Sequence, residues 1–318
     1  MSLSVNNNEY IFIEKFRPKT IDDLIVPQKL KEQMREWVKD GEIPNLLLSS
    51  KTPGTGKTSM THTLINEVGA DALFINASLE SNIDLLRNKI QGFVSTASYN
   101  GNAKIIVLDE ADFLNANSTQ PALRGFIEQF SKNARFILTC NYPNKLIEPL
   151  RDRLILIDFD EMMQKNKKEL VTATFLRNQE VLKHEKIEYK KEDLIWLIRH
   201  FYPSNRLILN KIQQMTQNGK LSINKDDIDV DTLNSKIINE ILSGSFEELK
   251  TDCVKLPDPS AIFSAIFERI EDFPKEFRPQ IIITVARYQS YAASVRDAYI
   301  NSLACCLEVQ QILNQATK

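Results

Sequence analysis

The stretch Asn45-Leu46-Leu47-Leu48-Ser49-Ser50-Lys51-Thr52-Pro53-Gly54-Thr55-Gly56-Lys57-Thr58-Ser59 decides how this chain folds. Asn45 to Ser49 has the shortness and the lack of alternation of a strand buried on both faces, the form strands take in a parallel sheet. A glycine-rich turn follows it directly and opens a helical pattern over residues 57–68. In that setting the turn's backbone N–H groups cradle phosphates and the helix N-terminus adds its dipole. Lys57 reaches the β and γ oxygens, and the Thr58 hydroxyl holds Mg2+. Gly54, Thr55, Gly56, Lys57, Thr58 and Ser59 are therefore the expected phosphate-binding residues. The full pattern G-x-x-x-x-G-K-[ST] has glycine where this chain has Lys51, whose side chain is read as solvated.

Working outward, apolar runs of the same kind recur at residues 73–77, 104–109, 135–140 and 154–159, with helical patterns at 82–98 and 118–131 between them. Strand, helix and strand in repetition predict a doubly wound parallel sheet. The run Ile105-Ile106-Val107-Leu108 ends in Asp109-Glu110, which at the carboxyl edge of such a sheet face the phosphates. Asp109 is expected to hold Mg2+ through water and Glu110 to polarise the attacking water. Asp109 to Asp112 also spells the D-E-A-D of one helicase class, but that class needs a second α/β domain with its own arginine motif. The glycine-poor remainder offers none.

Seven of the nine glycines precede residue 126, so the first part is turn-rich and the rest largely helical. Amphipathic patterns predict helices at 164–184, 191–201, 205–217, 232–242, 260–271, 278–289 and 291–314. One boundary is placed near residue 160 and another near 225, where Lys225 to Asp231 is acidic and linker-like, giving modules 1–160, 161–225 and 226–318. The chain carries 40 Lys plus Arg and 42 Asp plus Glu, a net charge of -2 that hides an asymmetry. The modules hold 18 basic against 20 acidic, 13 against 7, and 9 against 15 residues. A near-neutral total argues against strong nucleic-acid binding by one isolated copy. The four Cys and three His show neither metal-ligand spacing nor a disulfide framework. No apolar run approaches the ~18 residues of a membrane span, and the Asn-rich start is no signal peptide, so a cytoplasmic protein is expected.

Together these residues resemble the AAA+ ATPases, specifically sliding-clamp loader subunits: the replication factor C small subunits and the large ATPase subunit of T-even-type phage loaders. Glu14-Lys15-Phe16-Arg17-Pro18, with the apolar residues that follow, is similar to the family's opening E-K-Y-R-P segment. By that resemblance Ile13, Glu14, Lys15, Phe16 and Ile25 surround the adenine. Arg135 to Tyr142 is similar to the family's fourth strand, making Asn141 the sensor 1 residue that orients water near the γ-phosphate. Leu150-Arg151-Asp152-Arg153-Leu154 stands in place of the S-R-C motif and implies that Arg153, or in second place Arg151, is the finger reaching a neighbouring subunit's ATP. Tyr202 to Leu207 occupies the sensor 2 position, implying Arg206 as a nucleotide contact.

The resemblance further implies that Arg87 and Lys89, on the helix after Asn82, touch DNA phosphates, and that Phe93 and Tyr99 lie where the family docks on its clamp. Gln120, Leu123 and Arg124 resemble the helix that couples DNA contact to the ATP site. The implied fold is an α/β P-loop AAA+ domain, then a helical lid over 161–225 and an all-α oligomerising collar over 226–318. The implied function is ATP-dependent loading of a sliding clamp onto primer-template DNA, with ATP and Mg2+ as cofactors. Its partners would be the other loader subunits of a hetero-pentamer, the clamp and the DNA, with no membrane. A non-hydrolysing scaffold subunit and another AAA+ machine, such as a helicase loader or a Holliday-junction motor, are the alternatives.

Overall fold

Apolar runs form all five strands: the three central ones each supply side chains to two cores at once, while the two at the sheet edges leave Phe74, Ile155 and Leu156 about half exposed. In the computed structural model the strands are β1 (Leu46–Ser49), β2 (Asp71–Asn76), β3 (Lys104–Asp109), β4 (Ala134–Cys140) and β5 (Ile155–Asp158). The structure describes residues 3–80, 82–96, 104–223, 230–243, 246–256, 258–292 and 294–314. Leu47, Ile106, Leu108, Phe136 and Leu138 point into one core. Leu46, Leu48, Ile105, Val107 and Ile137, their neighbours along the same strands, point into the other. The period of two is present, but both faces are apolar.

All neighbouring strands are parallel, in the order β2-β3-β4-β1-β5. Leu48 pairs with Thr139, and Leu108 with Leu138, so β4 lies between the strand that feeds the glycine-rich loop and the strand that ends in Asp109. That order positions the site. Helices α1 (Phe12–Lys15), α2 (Gln28–Asp40), α3 (Lys57–Val68), α4 (Ile83–Ser95), α5 (Thr119–Gln129) and α6 (Glu148–Arg151) are interleaved with the strands. The Asn82 side chain accepts the Asp84 N–H at 2.8 Å and so fixes the start of α4.

After β5 follow α7 (Phe159–Lys165), α8 (Lys167–His184), α9 (Lys191–Phe201), α10 (Asn205–Met215), β6 (Thr216–Gln217) and β7 (Lys220–Leu221). Three expectations need correction here. The single helix expected over 164–184 is two, broken at Asn166, whose φ of -110° takes it out of the helical region. The helix expected to reach 217 stops at Met215, because Asn218-Gly219, both at positive φ, turn the chain into the β6–β7 hairpin. The last helix begins at Ala298 and not at 291: the Asp297 carboxylate accepts the N–H groups of Tyr299 at 2.9 Å and Ile300 at 3.2 Å, a capping arrangement that starts a helix afresh.

Two compact units result, Met1–Ser222 and Ile223–Lys318. The second holds α11 (Val230–Ser243), α12 (Phe246–Val254), α13 (Ala261–Glu268), α14 (Arg278–Tyr291) and α15 (Ala298–Asn314). Its own core contains Ile237, Ile241, Leu249, Phe263, Phe273 and Val309. Of the stretch read as a linker, residues 225–229 lie outside the described residues, as does Tyr99, while Val230 and Asp231 open α11. No helix among the described residues is long and apolar enough to cross a membrane.

Candidate nucleotide site

A cavity of about 400 Å³ opens at the carboxyl ends of β1, β3 and β4. This is the edge where parallel α/β sheets bind ligands. One end of the cavity is the glycine-rich loop. Gly54 and Gly56 stand at φ +81° and +110°, conformations that side chains resist, and α3 begins at Lys57 with Gly56 as its cap. The loop's entry is fastened from elsewhere in the chain: the Asp160 carboxylate accepts the Lys51 N–H at 2.7 Å and the Ser50 hydroxyl at 2.8 Å.

Lys57 Nζ donates to Asn141 Oδ1 at 3.0 Å and to the Ser50 carbonyl at 3.1 Å. Burial holds its ammonium below the ordinary lysine value, while Asp160, Asp109 and Asp112 oppose that pull. Asp109 and Glu110 follow β3, and Thr139 on β4 ties them together. The Thr139 hydroxyl donates to Asp109 Oδ1 and accepts the Glu110 N–H, the latter at 3.2 Å. Glu110 sits at φ 57°, ψ 42°, a left-handed conformation that costs a non-glycine residue of order 1 kcal/mol and recurs at functional sites. Burial pushes the neighbouring Cys140 thiol up to about 12, so it is protonated and inert.

The opposite end of the cavity is apolar. Ile13, Phe16, Leu24, Ile25 and Val26 line it, with Phe16 held edge-on by Phe12 and His184 at centroid distances of 5.5 and 5.6 Å. The helical segment closes over the loop: Ser204 Oγ donates to the Pro53 carbonyl at 2.8 Å, and the Arg206 N–H reaches the Gly54 carbonyl at 3.4 Å. Three buried polar atoms of residues on the cavity wall have no hydrogen-bond partner among the described residues, Arg177 Nη1, Asn178 Oδ1 and Asn205 Oδ1.

Of the residues picked out by sequence, Ile13, Phe16, Ile25, Gly54, Thr55, Gly56, Lys57, Thr58, Ser59, Asp109, Glu110, Asn141 and Arg206 meet in this cavity. Glu14 and Lys15 do not. Glu14 turns to Arg17 at 2.7 Å and Lys15 to Glu185 at 2.6 Å, because they stand on the polar side of the short α1 while Phe12 and Phe16 take its apolar side. Arg153 also lies away from the chain's own cavity. Its Nε donates to Glu128 at 2.6 Å, and it adds a bond to the Pro149 carbonyl. Arg151, the other candidate, has its Nε buried without a hydrogen-bond partner among the described residues.

Arg87 and Lys89 are exposed on α4 and paired locally, Arg87 with Asp84 at 3.8 Å and Lys89 with Glu80. Phe93 packs against the core with Lys104 over its ring. Gln120 is fully buried, donating to the Leu114 and Lys145 carbonyls and accepting the Ile147 N–H, so it welds α5 to the segment that leads to α6. Thr139, Asp160, Arg177, Asn178 and Ser204 carry no motif, and sequence reasoning missed them. Only Thr139, two residues before Asn141, and Ser204, two residues before Arg206, stood in segments already singled out and so gave a usable signal.

Residues 47–161 match the model of the ATPase family associated with various cellular activities (AAA). The chain is 34% identical over 220 residues to the sliding-clamp-loader large subunit of Enterobacteria phage T4, covering 69% of each chain. It is 33% identical to the same subunit of Escherichia phage RB69, covering 69% of this chain and 68% of that one. It is 36% identical to the replication factor C small subunit of Sulfurisphaera tokodaii, covering 68% of this chain and 65% of that one. Among solved structures, the Thermotoga maritima RuvB Holliday junction branch migration motor superposes with a TM-score of 0.50 at 16% identity, covering 80% of this chain and 91% of that one. At that identity the likeness shows the fold alone.

Proposed function

Since the chain belongs to the AAA ATPases, in the group formed by sliding-clamp-loader large subunits and replication factor C small subunits, we propose that it is the ATPase subunit of a clamp loader acting in DNA replication. The observation that carries the reading is the meeting of Lys57, Asp109, Glu110 and Asn141 around one cavity, with β4 inserted between β3, which ends in Asp109, and β1, which leads into the loop before Lys57.

In this reading the triphosphate lies along the loop from Gly54 to Ser59, and Lys57 neutralises its terminal oxygens. The base occupies the apolar end beside Ile13, Phe16 and Ile25. Thr58 and Asp109 fit a Mg2+ ion by chemistry, an hydroxyl and a carboxylate on one wall of the same cavity. That ion would draw charge from the β and γ oxygens. Glu110, held rigidly by its left-handed backbone and by Thr139, orients and polarises the attacking water. Asn141 leaves Lys57 to position that water near the γ-phosphate.

Arg153 faces away from its own cavity and serves a neighbouring subunit as an arginine finger, so hydrolysis depends on assembly. The segment from 161 to 225 is the lid, sensing nucleotide through Arg206, and residues 226–318 are the collar of a hetero-pentamer. Arg87 and Lys89 on exposed α4 follow the DNA backbone, contacts that position without reading sequence. A few such cations repeated across subunits are enough for a chain whose net charge is only -2.

Phosphate release by the assembled complex tests the proposal. It is expected to rise when the clamp and primer-template DNA are added, and to vanish in Lys57→Ala together with ATP binding. No release under any of these conditions sinks it.

A further inference from the structure

Helix α10 runs from the phosphate end of the cavity to its apolar end. Asn205, Arg206 and Leu209 line the cavity, and Gln213, one turn beyond Leu209, continues the same helix face. At the start of the helix the Ser204 hydroxyl and the Arg206 N–H rest on the carbonyls of Pro53 and Gly54. Towards its far end the Gln213 carboxamide grips the start of α1 with both of its polar atoms. Its Oε1 accepts the Phe12 N–H at 2.9 Å, and its Nε2 donates to the Tyr10 carbonyl at 3.1 Å. Arg206 and Gln213 stand about 10 Å apart along one helix.

The fork answers a local need. Helix α1 has four residues, too few to hold itself, and Ile11 at its N-cap offers no side-chain acceptor, so Gln213 is what meets the first N–H of the helix. Further bonds tie the same segment to the same part of the chain: Arg177 Nη2 donates to the Phe16 carbonyl at 3.0 Å, and Lys15 pairs with Glu185 at 2.6 Å. Beyond Arg17 the hold changes to α3, where the Thr63 hydroxyl donates to the Pro18 carbonyl at 3.4 Å and Glu67 accepts the Ile21 N–H at 2.8 Å. Ile13 and Phe16, which line the apolar end, thus stand on a segment held by the helices after β5, whereas the phosphate loop stands on the sheet.

We propose that Gln213 is a positioning residue of this site: its carboxamide joins the segment that receives the base to the helix that rests on the phosphate loop, so that the two ends of the cavity close as one. This rests on the reading of the cavity as a nucleotide site. Energetic coupling between separated contacts is carried by rigid elements and the hydrogen bonds that join them, and α10 with its Gln213 fork supplies both. Phosphates that settle α10 on the loop therefore also settle α1 where the base binds.

Calorimetric titration of the purified protein in Mg2+ compares ATP with tripolyphosphate, which carries the phosphates and no base. Gln213→Met keeps the length and the helix preference of the side chain and removes the amide. It is expected to weaken ATP about tenfold while binding tripolyphosphate no less tightly than wild type. Amide hydrogen exchange gives a second reading inside α1, at Lys15 and Phe16, whose N–H groups bond to the Ile11 and Phe12 carbonyls. In the wild-type protein tripolyphosphate should slow exchange there several-fold although it occupies the loop end, and in Gln213→Met it should not. Equal weakening of both ligands would mark a structural role and overturn the proposal, as would an unchanged ATP affinity. So would wild-type exchange in α1 that tripolyphosphate leaves unaltered, a result that needs no variant. If the wild-type protein bound neither ligand, the nucleotide-site reading itself would fall, an outcome distinct from binding of both without communication between the ends.

Discussion

Asp160 holds Lys51: a carboxylate from the first turn of α7 accepts the backbone N–H of the residue that stands where the phosphate-loop pattern has its first glycine. Within residues 50–59 only Gly54 and Gly56 adopt positive φ, so position 51 does not need glycine's freedom. What fixes the loop's entry is the pair of bonds to Asp160. Asp160→Ala leaves the Lys51 N–H without its acceptor and the Ser50 hydroxyl with only the Thr52 carbonyl, and should cost roughly 1–2 kcal/mol of stability. ATP affinity should fall several-fold with it, whereas Lys51→Gly should change affinity little. Chemical denaturation and calorimetric titration of both variants check this, and an Asp160→Ala protein with wild-type affinity would contradict it.

Thr139 is the joint between the two acidic residues. Thr139→Val conserves volume while removing the hydroxyl that Asp109 and the Glu110 N–H share. Turnover is expected to drop by about one to two orders of magnitude through misplacement of Glu110, with ATP affinity changed much less. Steady-state kinetics of the assembled complex separate the two effects. A rise in KM at constant kcat would assign Thr139 to binding.

Arg153 is engaged by Glu128 of its own chain. Arg153→Ala should leave ATP binding intact and lower hydrolysis by roughly three orders of magnitude or more, as loss of an arginine finger does. Glu128→Ala frees the guanidinium and should not reduce hydrolysis. Were the isolated chain to hydrolyse ATP as fast as the assembly, the finger would not act between subunits.

Burial raises Cys140 and Cys305 to about 12, from an ordinary thiol value of 9.0. The folded protein therefore keeps these protons after the unfolded chain has lost them. Their stabilising effect is fully present below pH 9 and disappears as the pH rises from there towards 12, at up to about 1.4 kcal/mol per pH unit for each thiol. Denaturation midpoints at pH 8, 9.5 and 10.5 should fall steadily, and Cys140→Ser should flatten part of that fall.

The parallel sheet, its helices and the phosphate loop were readable because each has a local cause: apolar runs, glycines and their order. The insertion of β4 between β1 and β3 was not readable, since strand order depends on crossovers that no single run records. Yet it is what brings Asn141 to Lys57. The roles of Asp160 and Ser204 were invisible for the same reason: each acts on a partner more than a hundred residues distant. Helix α2 does carry an apolar stripe, Leu30, Met34, Trp37 and Val38, but its polar face holds Gln28, Lys29, Glu32, Gln33, Arg35 and Glu36, and the stripe went unread beside the apolar runs on either side. The late start of α15 was legible after all, in the Asp297 that periodicity reads straight through.

Gly54 lies so close under the N-terminus of α10 that a Cβ there would come within 2.6 Å of Ser204 Oγ and 2.7 Å of Arg206 Cβ. A methyl group at this position is thus a wedge whose clash exists only while the helical segment rests on the loop. The backbone strain of its φ of +81° is paid in both arrangements, but the clash is paid in one. Gly54→Ala would shift the population of conformers towards the raised segment, and Ser204→Ala, which removes the tether without a wedge, would do so more gently. The small residue at position 54 is therefore what lets the start of α10 rest this closely on the loop.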